Sequence, residues 1–250
     1  MNSIPITNYP NAPDIESSSW DYAQRFKGAI GQWLLSHQEA ATRSAIESSC
    51  SDETVLRVLD VGGGHGQNVG LINAMGHKIT VVGSDQSCGS VIRENIDSGL
   101  VTFDTGSLLE LPYSDNSFDV VICYRILSHM ESWEKLVAEL VRVADKLVLV
   151  DYPCIRSVNF ASRLLYGVKK GIEKNTRPFR CFHDRDVDHS FLQRGYARVF
   201  RRRQFFLPMA LYRLIGNVAV SKFFYSVFRA LGLIRVFGSP VIAGYAPSGS

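Results

Sequence analysis

Between residues 55 and 151, short runs dense in Val, Ile and Leu alternate with helical patterns, and few folds accept that alternation. The apolar runs fall at 55–61, 78–83, 100–103, 118–124 and 146–151, with helical patterns at 66–75, 90–97 and 133–143 between them. Runs that stay apolar at nearly every position suit strands covered on both faces, since a half-exposed strand would alternate. Strands separated by helices pair in parallel, because each crossover returns the chain to the same end of the sheet. The pattern predicts a doubly wound α/β core whose ligand lies beyond the carboxyl ends of the strands.

The turn after the first run narrows the ligand. In LDVGGGHGQNVG, residues 59–70, the glycines Gly62, Gly63, Gly64 and Gly66 put four in five positions. Without Cβ atoms they let the chain take positive φ and bring backbone N–H groups against a ligand, at the positive end of the next helix. Dinucleotides and S-adenosylmethionine both use such a turn. The dinucleotide spacing G-x-G-x-x-G fails, because its third glycine falls on Gln67 when counted from Gly62 and on Val69 when counted from Gly64.

Composition bounds the rest. At 250 residues and 46% hydrophobic, the chain holds enough apolar material for one large domain. Its net charge of +3 hides a split: residues 1–150 carry 10 Lys/Arg against 19 Asp/Glu, and residues 151–250 carry 17 against 5. A basic half can meet an anionic substrate, a membrane surface or RNA, or simply be a solvated face. The five cysteines are far apart, with no C-x-x-C and no histidine at ligand spacing. Neither a metal site nor a disulfide framework is expected, and a reducing, cytoplasmic compartment is. Residues 1–19 lack the regions of a signal peptide and read as a loose polar tail. The apolar stretch 204–237 is interrupted by Arg213, Lys222, Arg229 and Arg235 and does not read as a membrane span.

Outside the core, residues 20–48 suggest one or two helices, 157–174 a basic helix, and HDRDVDHSFLQRGY a helix entering at His183 or Asp184 and ending at Gly195. The alternating HDRDVDH suggests a metal site, and is read more simply as a solvated helix start. Residues 196–206 are a strand candidate, 208–233 hold two helical stretches, and 241–245 a last strand. One domain is expected: an N-terminal tail and helical cap over 1–53, a cofactor half over 54–153, and a substrate-side half with helical insertions over 154–250.

VLRVLDVGGGHGQNVGLI resembles the first motif of the class I S-adenosylmethionine-dependent methyltransferases, and the likeness runs through residues 55–153. VVGSDQS is similar to the second strand with its ribose-binding acid. FDTGSLLELPYSDNSFDVVICYRILSHM is similar to the third motif and fourth strand of the small-molecule branch (methyltransferase type 11). WEKLVAELVRVADKLVLVDYP resembles the helix and fifth strand that follow. The resemblance implies a Rossmann-like methyltransferase fold, with a mostly parallel seven-stranded sheet and extra helices forming a cap.

It also implies S-adenosyl-L-methionine as cofactor. Asp60 would receive its α-ammonium, while Gly62, Gly63, Gly64 and Gly66 pass close to the methionine and ribose. Asp85 would hold the ribose hydroxyls, and Gln86 would lie beside the adenine. Ser107, standing where the family often has Asp, and Leu108 would meet the adenine edge. Tyr124 would end the fourth strand beside the cofactor. Tyr22 and Arg25, three apart on an expected helix, would sit near the methionine carboxylate.

Methyl transfer from a sulfonium is an in-line displacement, so the protein chiefly aligns the reactants. A base is needed only where the acceptor must lose a proton. His129 is the candidate base, and Asp151 and Tyr152 compete with a plain turn before Pro153. The expected activity is methylation, on oxygen or carbon, of a hydrophobic small molecule; CYRI at 123–126 replaces the D/N-P-P-Y of many nitrogen methyltransferases. At 222–231, Lys222, Ser226 and Arg229 share one helical stripe, with Phe223, Phe224, Val227, Phe228 and Leu231 on the rest. That suits a helix packed on the sheet with a basic solvent face, a pocket cap, or peripheral contact with an anionic membrane. RNA held by Arg201, Arg202 and Arg203 is the runner-up acceptor. A non-catalytic S-adenosylmethionine-binding module and an NAD-dependent oxidoreductase are further alternatives. The sequence shows no sign of an obligate protein partner.

Overall fold

The apolar runs become strands: β1 (Arg57–Val61), β2 (Lys78–Gly83), β3 (Thr102–Thr105), β4 (Phe118–Cys123), β5 (Ala144–Tyr152), β6 (Tyr196–Phe205) and β7 (Ser239–Pro247). The structure, a computed structural model, describes residues 11–51, 55–157 and 179–249. The strands form one seven-stranded sheet in the order β3-β2-β1-β4-β5-β7-β6. Pairing is parallel from β3 to β5, and β7 and β6 then add antiparallel. The winding reverses between β1 and β4, so a crevice opens at their carboxyl ends. All six residues of β4 and the last six of β5 are buried, which is why these runs stay apolar throughout.

The described helices are α1 (Asp14–Ser17), α2 (Trp20–Gln24), α3 (Gly28–Ser49), α4 (Val69–Ala74), α5 (Arg93–Asp97), α6 (Trp133–Val143), α7 (Asp184–Leu192), α8 (Met209–Ile215), α9 (Val218–Ala230) and α10 (Leu233–Phe237). On one face of the sheet, Leu136, Val137 and Leu140 of α6 and Val187 and Phe191 of α7 join the cluster of Val121, Val148 and Tyr245. On the other, Ala41, Ala45 and Ile46 of α3 and Ile72 of α4 join Val58, Val120 and Leu149. A smaller cluster of Trp33, Leu34, Phe205 and Tyr212 fastens the C-terminal helices to α3.

Two expectations change. The polar tail is built into the fold from residue 11 on: Asp14, Ser17 and Ser18 are buried, because their polar groups meet the crevice rather than solvent. The helical pattern at 90–97 is α-helical only over α5, since Asp85 caps a 3-10 turn at Gln86–Gly89 first. The stretch 208–233 holds the two expected helices, α8 and α9, and α10 starts at its end. The basic helix expected at 157–174 lies outside the described residues, apart from Ser157. No helix among the described residues is long and apolar enough to cross a membrane.

Candidate active site

The site starts with a carboxylate that the sheet buries. Asp60, next to last in β1, is 0% exposed. Asn68, just before α4, donates its side-chain amide to Asp60 Oδ2 at 2.9 Å. Oδ1 is buried too and has no hydrogen-bond partner among the described residues. Burial pushes the Asp60 carboxyl up to about 7, against the opposing pull of Asn68 and of the Arg125 charge. The glycine turn makes room for this group. A Cβ on Gly63 would stand 2.1 Å from Asp60 Cγ, and one on Gly64 would stand 2.1 Å from the carbonyl oxygen of Cys88. Behind the turn, burial and the Arg125 charge push His65 down to about 3, so its ring is neutral.

From Asn68 the polar chain crosses the crevice. Its Oδ1 accepts from Gln38 Nε2 of α3 at 3.5 Å, and Gln38 Oε1 accepts from Arg125 Nη2 at 2.8 Å. The Arg125 backbone N–H donates to Oδ1 of Asp151, near the end of β5. Arg125 follows β4 with φ at 66°, a left-handed conformation that a non-glycine residue keeps only where its surroundings fix it. Its guanidinium lies 4.2 Å from the Phe26 ring centroid and 5.8 Å from that of Tyr22. Arg125 Nη1 is buried without a partner among the described residues. Burial also raises Asp151, to about 6, with Arg125 opposing. Two buried carboxylates therefore feel one guanidinium, and a buried acceptor (Asp60 Oδ1) and a buried donor (Arg125 Nη1) each lack a partner among the described residues. Buried polar groups left this way are costly, and they mark where a ligand's polar groups belong.

The other residues singled out in the sequence divide. Asp85 is exposed; its Oδ1 accepts from Ser87 N–H at 2.8 Å, and these Ser87 bonds hold its carboxyl below the usual range. Gln86 beside it is exposed, while Leu108 is buried in the core. Ser107 Oγ accepts from Leu109 N–H at 3.2 Å. Tyr22 lies under two cations, the Arg25 guanidinium at 4.9 Å and Arg125 at 5.8 Å. Tyr124 pairs its hydroxyl with that of Thr42 of α3 at 2.8 Å. His129 ends a 3-10 turn, its ring 5.5 Å from that of Phe179. Asn68, Gln38 and Arg125 escaped sequence reasoning. The available signal was Arg125 itself, the one Lys or Arg between Phe118 and Lys135.

HDRDVDH opens α7 with Arg185, Asp186 and His189 exposed, as expected, and its Asp184 and Asp188 serve as a buttress as well. Asp184 accepts from the Tyr152 hydroxyl at 3.2 Å and from Arg201 at 3.2 Å, and it also pairs with Arg203. Asp188 accepts from the Tyr245 hydroxyl at 2.9 Å and pairs with Arg198. Arg202 reaches the Ala40 carbonyl at 3.3 Å, so all three arginines of the run 201–203 have partners within the chain. On α9 the inward stripe is Val218, Ser221, Tyr225 and Phe228. The exposed surface includes Phe223 and Leu231, 64% and 67% exposed, as well as Lys222 and Arg229. The solvent face is thus apolar as well as basic.

The sheet order, with the glycine turn after β1 and an acid beyond β2, is that of the Rossmann-like methyltransferase fold. Residues 59–147 match the family model described as a methyltransferase domain. Ajmaline N-methyltransferase of Rauvolfia serpentina is 43% identical over 44 residues, 18% of this chain and 15% of that protein. A protein of Mycobacterium tuberculosis, named a probable S-adenosylmethionine-dependent methyltransferase, is 28% identical over 123 residues, 48% of this chain and 42% of its own length. The chain thus spans less than half the length of these relatives. Among solved structures, magnesium protoporphyrin IX methyltransferase of Synechocystis superposes with TM-score 0.61 at 16% identity, covering 92% of this chain and 95% of that one. A [4+2]-cyclase superposes with TM-score 0.57 at 17% identity, covering 84% and 81%. Likenesses this remote show the fold alone.

The residues present fit S-adenosylmethionine. Its methionine end carries an ammonium and a carboxylate, and the buried groups without partners among the described residues include an acceptor, Asp60 Oδ1, and a donor, Arg125 Nη1.

Proposed function

We propose that the chain is an S-adenosylmethionine-dependent methyltransferase whose acceptor is a hydrophobic small molecule, methylated on oxygen or carbon. The observation that carries the reading is the pair of unpartnered atoms, Asp60 Oδ1 and Arg125 Nη1, beside the glycine turn. When bound, the cofactor supplies an electrophilic methyl on a sulfonium whose sulfur leaves as a neutral thioether. The chain's own residues bind, orient and handle a proton. Asp60 accepts from the ammonium, and Arg125 donates to the carboxylate. Asp85, exposed and held ionised by its Ser87 bonds, accepts from the ribose hydroxyls. Asp151, raised to about 6 and at the end of β5, takes a proton from the acceptor. A hydroxyl or an activated carbon acid needs that service and a free amine does not, which favours oxygen or carbon. The Rauvolfia relatives are nitrogen methyltransferases by name, and the 44 residues shared are too few to carry an acceptor preference.

The acceptor class rests on the C-terminal half. From residue 189 to 250 the chain has 9 Lys/Arg and no Asp or Glu. Leu214, Phe223 and Leu231 are 82%, 64% and 67% exposed on this stretch. An apolar, cationic surface suits an anionic bilayer that holds an apolar acceptor. The RNA reading is weaker, because Arg201, Arg202 and Arg203 are engaged within the chain.

The deciding experiment is methyl transfer from labelled S-adenosylmethionine to quinones, phenols, polyketide-like acids and total RNA. Transfer confined to RNA would overturn the acceptor assignment. Cofactor binding with no transfer to any of them would make the chain a binding module.

A further inference from the structure

Asp14 is 0% exposed although it carries a carboxylate. It accepts from the Ser84 backbone N–H at 2.7 Å, from the Ser84 hydroxyl at 2.7 Å and from the Cys88 thiol at 3.3 Å. Those donors sit in the segment after β2 that also carries Asp85 and Gln86. Across the crevice, Asp14 Cβ lies 3.2 Å from where a Cβ of Gly62 would stand, and Ser18 Oγ lies 2.4 Å from that of Gly64. The start of the described chain therefore fills the space between the glycine turn and the loop after β2. On the reading proposed above, these are the two surfaces that receive the methionine and ribose.

We propose that residues 14–18 are a displaceable plug in the cofactor seat, held shut by Asp14, so that cofactor binding requires this segment to leave. The inference rests on the S-adenosylmethionine reading. The plug fills the seat without satisfying it: Ser18 Oγ, Asp60 Oδ1, Arg125 Nη1 and His65 Nε2 stay buried without partners among the described residues. A ligand bearing an ammonium and a carboxylate serves those groups better than the plug does. The plug also has little stability of its own. Helix α1 is a single turn with no side-chain N-cap bond, so its order derives from the contacts of Asp14 and Ser18. The apparent dissociation constant of the cofactor is then its intrinsic value divided by the open fraction.

The test is titration of S-adenosylhomocysteine into wild type, Asp14→Ala and Asp14→Asn, with hydrogen exchange at residues 11–19 and 84–88. Asp14→Ala should bind roughly tenfold tighter or more, because the open fraction rises. Asp14→Asn keeps the shape and one acceptor oxygen, and should fall between. In wild type, residues 11–19 should exchange faster when the ligand is saturating. A folded Asp14→Ala that binds no tighter, or a saturated complex that still protects residues 11–19, would overturn the plug. Should none of the three proteins bind the ligand, the cofactor reading falls, and exchange alone decides the plug. Faster exchange at both segments in Asp14→Ala then supports it, and unchanged exchange overturns it.

Discussion

Asn68 gives one amide hydrogen to Asp60 at 2.9 Å, and among the described residues that bond alone ties down a carboxylate that the sheet has removed from water. The same side chain accepts from Gln38, so it links the glycine turn to α3.

Asn68→Ala takes from Asp60 Oδ2 its observed partner, so that neither oxygen has one among the described residues, and detaches Gln38 from the turn. Stranding a buried acceptor costs about 1–3 kcal/mol, and the urea midpoint should fall accordingly. A midpoint equal to wild type would show that Asp60 is held by something else.

Burial pushes the Asp60 carboxyl up to about 7 in the fold, from an ordinary value of 3.8. A raised carboxyl binds more protons folded than unfolded between those values, so its contribution to stability falls as pH rises through the window. Asp151, raised to about 6, acts in the same sense. His65, pushed down to about 3 from 6.5, acts oppositely over that lower range. The difference between wild type and Asp60→Asn isolates the carboxyl: measured by urea at pH 5 and pH 8, wild type should lose ground to the variant at the higher pH. A difference that does not change with pH contradicts the burial account.

These residues also show what the sequence could reveal. Strand β2 and helix α6 stand where their patterns put them, because apolar runs and a 3.6-residue stripe are local signals. The glycine turn was legible for the same reason. The polar chain was not: Gln38 is 30 residues from Asn68 and 87 from Arg125, and only the passage of α3 across the strand ends brings them together. Asp14 was hidden in a polar tail, since its partner Ser84 lies 70 residues away and nothing in composition marks one acid of such a tail as buried.

Gly63→Ala places a Cβ 2.1 Å from Asp60 Cγ and forces the carboxylate off Asn68. Overpacking of this kind costs about 1–3 kcal/mol, and cofactor affinity should drop with stability because the ammonium acceptor moves. Unchanged stability and affinity would mean that the turn has more freedom than this geometry allows.

Phe223 and Leu231 are 64% and 67% exposed, so replacing both by Glu should leave the urea midpoint near wild type. The same double variant should no longer float with vesicles containing anionic lipid, which wild type should accompany. Wild type that stays behind with anionic and neutral vesicles alike removes the membrane from the proposal.

Calorimetric titration with S-adenosylhomocysteine and, separately, NADH tests the central claim most directly, on wild type and Asp85→Ala together. Saturable one-site binding of S-adenosylhomocysteine and none of NADH is expected. Asp85→Ala should weaken it by roughly tenfold or more, since a hydrogen bond to a charged group is worth about 1.5–3 kcal/mol. NADH binding without S-adenosylhomocysteine binding, or a folded Asp85→Ala with wild-type affinity, would contradict the account.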